Sequence, residues 1–145
     1  MHSIDRLTAR FARSGRQLMR GVVRVEIAVM KHSLDGKIFQ SIENSENGEV
    51  SSETIFHYHQ NNEIVSADYK GGNIRKGHLL GKMFANGNLE FTYQHINIEG
   101  NLMLGQCIST LSVLPDGRYK YHENWQWING DKSKGTSQII EIRSV

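Results

Sequence analysis

LMLGQCISTLSVLPDGRYKYHENWQW, Leu102 to Trp127, is the stretch from which the fold can be read. Two extended runs flank Leu114-Pro115-Asp116-Gly117-Arg118. Pro115 presets φ for a turn, and Asp116-Gly117 supplies a short polar side chain and a residue that tolerates φ > 0. The second run alternates, with Tyr119, Tyr121, Glu123, Trp125 and Trp127 on one face and Lys120, His122, Asn124 and Gln126 on the other. A period of two marks a half-buried antiparallel strand, and the aromatic-rich face is the one expected inside.

Working outward, the same unit of strand and polar turn recurs. Extended runs are read at 37–43, 50–60, 63–70, 74–84, 89–98 and 136–142. Asn47-Gly48 reads as a tight φ > 0 pair, and NGDKSKG (129–135) is the longest loop. Gly77 and Gly81 fall inside a strand, where a glycine allows a neighbour to approach closely. Connections this short exclude parallel pairing. A meander of eight strands leaves two open edges unless its first and last strands meet. The expected fold is therefore all-β: an eight-stranded antiparallel up-and-down meander over 34–145, closed into a small barrel of lipocalin or avidin type. An open, coiled sheet is the alternative. Eight strands enclose just enough space for packed side chains or one small ligand.

A chain of 145 residues with 38% hydrophobic and 22% charged residues is long enough for one packed domain. No apolar run approaches the roughly 18 residues of a membrane span. Cys107 is the sole cysteine, which excludes an internal disulfide and fits a cytoplasmic protein with a buried thiol. The net charge of +2 is unevenly spread: residues 1–31 carry +5 and the remainder −3. The acidic body has no nucleic-acid footprint. The basic extension, residues 1–33, has three readings. Ile4, Leu7, Phe11, Leu18 and Val22 form a helical stripe beside arginines 6, 10, 13, 20 and 24, as in an amphipathic helix. An Arg-rich, acid-poor start also fits a transit peptide, and Met30 allows a translated leader before the true start.

Glu123 carries the sharpest chemical signal. A carboxylate on an aromatic, inward face must be paired, hydrated or protonated. Either Arg75 or Lys82 neutralises it, or it lines a cavity where it fixes a small polar ligand against tryptophan rings. The candidate ligand-binding residues are Tyr58, Tyr93, His95, Tyr121, Glu123 and Trp125. His57 and His59, two apart on a strand, are weak metal candidates that would need a third ligand from His78, His95 or His122. No nucleophile elbow is present, and the 130–135 loop lacks the Gly-Lys-Ser/Thr order of a phosphate loop. That loop would sit at a barrel mouth, as a lid. No cofactor is implied.

DGKIFQSIENSENGEVSSETIFHYHQ, GGNIRKGHLLGKM and LPDGRYKYHENWQWINGDKSKGTSQIIEI together resemble a family of small bacterial proteins, about the length of this body alone, often labelled N-acetylglutamate synthase. The resemblance runs from about residue 35 to the end and implies acetyl transfer from coenzyme A. Acetyltransferases of that activity hold the pyrophosphate on a Gly-rich loop at a helix N-terminus. Beyond residue 35 the sequence shows no helix-period segment opened by such a turn. Three functions follow for the barrel: a non-enzymatic binder of a small molecule, an enzyme using Glu123 and a neighbouring His as acid and base, or an interaction protein with a filled core.

Overall fold

The computed structural model describes residues 6–10, 22–26 and 30–143. The chain divides into two compact units, Met1–Met30 and Lys31–Val145. In the first, β1 (Arg6–Arg10) pairs antiparallel with β2 (Val22–Glu26), Arg6 lying opposite Glu26. The amphipathic helix expected here is not what the described residues form. Val22, Val23 and Val25 are β-branched and stiff at χ1, which favours strand over helix. Ile4, Phe11 and Leu18 of the expected stripe lie outside the described residues.

The second unit holds eight strands: β3 (Ile38–Asn44), β4 (Ile55–Asn61), β5 (Ile64–Gly71), β6 (Ile74–Met83), β7 (Leu89–Asn97), β8 (Leu102–Val113), β9 (Tyr119–Trp127) and β10 (Lys134–Ile142). Each pairs antiparallel with the next, and β10 returns to pair with β3, so the sheet is a closed barrel. The all-β, up-and-down barrel expected from the turn spacing is the observed fold. Among the described residues no helix is long and apolar enough to cross a membrane.

The central turn forms as its residues dictate. Leu114 N donates to Arg118 O at 2.8 Å, Gly117 takes φ +90°, and Asp116 Oδ1 accepts the Arg118 N–H at 3.1 Å. The β3–β4 connection departs from expectation. Neither Asn47 nor Gly48 has positive φ, and β4 starts at Ile55 instead of residue 50. Residues 45–54 instead form a long strap at the end of the barrel that also carries the 72–73, 98–101 and 128–133 connections, here called the upper rim.

Alternation decides what faces inward. On β9, Tyr121, Glu123, Trp125 and Trp127 are buried while His122 and Asn124 are exposed. Leu34, Phe39, Tyr58, Met83, Leu89 and Tyr121 pack the lower half, with Phe39 edge-on to Tyr58 at 5.1 Å between ring centroids. Higher up, inward rings lie over glycines paired with them on the next strand: Tyr69 on Gly77, Tyr93 on Gly105 and Trp125 on Gly135. A Cβ at any of these glycines would overlap the facing residue. Bulky rings thus fit a narrow barrel because the neighbouring strand has no side chain where they lie.

This packing sets an expected outcome. Gly105→Ala should destabilise the protein by roughly 1–3 kcal/mol, the usual cost of overpacking. Urea unfolding is the measurement, and Gly105→Ala combined with Tyr93→Leu should recover part of the loss.

Candidate functional site

Small residues on the inward row of β8, namely Gly105, Cys107 and Ser109, leave the upper half of the barrel under-filled. A cavity of about 50 Å³ remains there. This exceeds the roughly 10–15 Å³ that a single water requires. Its wall is a run of rings in contact: Phe56 stacks on Tyr69 at 4.9 Å, Tyr69 meets His95 edge-on at 5.7 Å, and His95 lies 6.4 Å from Tyr93. Tyr93 then meets Trp127 at 5.8 Å, and Trp127 meets Trp125 at 5.4 Å.

Glu123 lies in this wall, 7% exposed. Its neighbours across both strand pairings are serines, Ser109 on β8 and Ser137 on β10. Ser137 Oγ donates to Oε1 at 2.9 Å and Ser109 Oγ to Oε2 at 3.3 Å. Burial pushes the Glu123 carboxyl up to about 7, and the two hydroxyls hold it back from rising further. The Arg75 or Lys82 partnership considered above does not form, because both side chains are exposed on the outside of β6. A register shift between Ile74 and Lys76 resets the alternation on that strand.

The roof of the cavity is the 45–54 strap. Trp125 Nε1 donates to Asn44 Oδ1 and Trp127 Nε1 to Asn47 O, each at 3.1 Å. Asn47 Nδ2 reaches across to Ser133 Oγ at 2.8 Å and Lys134 O at 3.0 Å. On the far side Glu49 Oε1 meets His95 Nε2 at 2.7 Å, and Asn97 Nδ2 donates to Glu49 Oε2 at 3.1 Å. His95 Nδ1 lies 2.9 Å from the Tyr69 hydroxyl. Burial lowers the His95 pKa despite the opposing pull of Glu49, so the ring is neutral at pH 7. A neutral ring in this network donates from Nε2 to Glu49 and accepts at Nδ1 from Tyr69. Burial also raises the Tyr69 and Tyr93 hydroxyls and the Cys107 thiol, which stay protonated.

Of the residues singled out from sequence, Tyr93, His95, Glu123 and Trp125 line this one cavity. Tyr58 and Tyr121 do not line it. Tyr121 OH is committed to Gly87 O at 2.8 Å, toward the lower rim, and Tyr58 is fully buried with its hydroxyl unpartnered among the described residues. His57 and His59 share a face, but it is the outer one. His95 is on the opposite face, His78 is paired with Asp68 at 2.9 Å, and His122 projects outward from β9. No group of three His, Cys, Asp or Glu suited to a metal occurs among the described residues. The 130–135 loop anchors the roof but is not the roof itself. Sequence reasoning missed Glu49, Ser109 and Ser137. The serines could have been found as inward-parity positions opposite Glu123; Glu49 lies in a loop, where no alternation points to it.

The model of the avidin-like protein family matches residues 32–142. The chain belongs to the avidin-like family. The avidin-like region takes in all eight barrel strands and the strap, and leaves β1 and β2 outside it. No curated protein and no solved structure matches the chain significantly.

Two outcomes follow from this geometry. Glu123 is raised from its ordinary 4.5 to about 7, so its protonated form favours folding at low pH and that advantage is lost as pH climbs from 4.5 through 7. Glu123→Gln should therefore gain up to about 3 kcal/mol over the parent above pH 7 and nothing below pH 4. Urea unfolding across that range reads it. Glu49→Ala leaves the His95 Nε2–H and Asn97 Nδ2 without an acceptor and should cost roughly 1–3 kcal/mol, with faster amide exchange confined to residues 45–54.

Proposed function

We propose that this avidin-like barrel is a non-enzymatic binding protein whose small ligand occupies the upper cavity, between the Trp125–Trp127 wall and Glu123, beneath the strap. The observation carrying this reading is a roofed, aromatic-walled cavity that contains a buried carboxyl with hydroxyl partners alone. Pockets of this kind, mostly apolar with a few convergent polar groups, are what small-molecule sites look like. The packed lower half argues the same way, since it supports the upper cavity from beneath instead of extending it into a channel.

The catalytic reading has less support. His95, the imidazole in the cavity wall, has both ring nitrogens engaged, by Tyr69 and Glu49, so a substrate would have to displace one of them to exchange a proton with it. Acetyl transfer, implied by the sequence resemblance, requires a seat for the phosphates of coenzyme A. The cavity wall contains two carboxylates and neither Lys nor Arg.

Trp125 and Trp127 make the test direct. Titration of a chemically mixed set of small molecules should give, for at least one, a saturable one-to-one change in indole emission. Trp125→Phe keeps a ring but loses the N–H that ties it to Asn44 and part of the contact area, and should weaken that ligand by about tenfold. Saturable emission changes with no compound of the set, or unaltered affinity in the variant, would overturn the reading.

A further inference from the structure

The cavity wall is largely the rings of Phe56, Tyr69, Phe91, Tyr93, Trp125 and Trp127, and among its polar groups are the carboxyls of Glu123 and Glu49; aliphatic and neutral polar side chains fill the rest. Aromatic faces carry partial negative charge and attract cations, tryptophan most strongly. Glu123 is supplied with two hydroxyl donors, although a carboxylate offers about four acceptor positions. Glu49 receives two N–H donors, from His95 and Asn97, and neither carries a formal charge when His95 is neutral. The wall thus carries two carboxyls and several electron-rich rings, with no Lys or Arg to balance them.

Such a site repels an anion, and a neutral molecule can offer the buried carboxylate only further hydrogen bonds of the kind the serines already supply, without neutralising its charge. A cation of matching size supplies what the protein withholds, pairing with Glu123 while the rings cover its alkyl surface. Resting on the cavity reading above, we propose that the ligand is a small organic cation, a protonated amine or quaternary ammonium, seated between Trp125, Trp127 and Tyr93 with its charge against Glu123. Glu49, held by His95 in the strap, closes over it from the other side.

The pH behaviour of binding follows from what faces Glu123. Tyr58 on β4, Tyr69 on β5, Tyr93 on β7, Tyr121 on β9 and Cys107 on β8 are all raised by burial and stay neutral. His95 on β7 is lowered, β10 contributes Ser137, and the strap contributes Glu49. Glu123 is then the group that changes charge near pH 7, and a cation should bind its ionised form.

The full chain is titrated by calorimetry and indole emission with four probes of nearly equal shape: tetramethylammonium, tert-butylammonium, tert-butanol and pivalate. At pH 8 both cations should bind, with tert-butanol and pivalate at least about tenfold weaker. From pH 8 to pH 6 the cations should lose up to about tenfold in affinity as Glu123 takes its proton. Glu123→Gln should remove that pH dependence and most of the binding. Absence of cation binding at tens of millimolar, equal binding of tert-butanol or pivalate, or cation binding unchanged in Glu123→Gln would overturn the proposal. The comparison among probes uses the unmodified protein, so it decides even if the variant folds poorly. Saturation by tert-butanol or pivalate alone would sink the cation and leave the pocket standing; silence of the whole mixed set of compounds would sink both.

Discussion

The pairing of β10 with β3, from Ile142 opposite Ile38 to Ser137 opposite Asn44, is the constraint on which the interior depends. Without it the meander has two edges and no inside. With it, every strand is paired on both sides and the alternate side chains of all eight converge on one axis. The same seam brings together parts of the site distant in sequence. Ser137 arrives beside Glu123, and Asn44 arrives where the Trp125 indole needs an acceptor. A bulge between Gln138 and Ile139 lets the last strand adjust its phase to the first.

Within that enclosure the decisive tension is electrostatic. Taking a carboxyl out of water raises its pKa unless donors or cations replace the lost hydration. Two serine hydroxyls replace part of it, and the remainder appears as a Glu123 that ionises only near neutrality. On the other side, Glu49 is held by N–H donors and in turn fixes the ring of His95. One acid is left under-solvated in the wall, and the other is secured in a strap tied to the Trp127 indole.

Much of this was legible in the residues. Gly117, Gly87 and Gly100 mark hairpins because φ is positive at each, and alternation on β9 identified the inward face together with Glu123 and Trp125. What failed did so for local physical reasons. Arg75, a candidate partner for Glu123, lies outside, beside a register shift on β6 that breaks the alternation there. His57 and His59 share a face as their spacing requires, but spacing alone does not say whether it is the wet one. The strap was invisible as a roof, since Glu49 acquires its role through His95 and Asn97, nearly fifty residues further along. Residues 6–10 and 22–26 pair as strands despite a helical stripe, the β-branched valines of β2 prevailing over periodicity.

The glycines paired with Tyr69, Tyr93 and Trp125 make ring and gap a coupled unit. A larger residue in the gap evicts the ring, while a smaller ring leaves the gap idle, so neither position varies freely alone. The barrel can therefore be re-tailored one pair at a time, with its hydrogen-bond lattice unaltered. Diversity among such chains should appear as compensated exchanges across neighbouring strands, and those exchanges would redraw the chamber's contour.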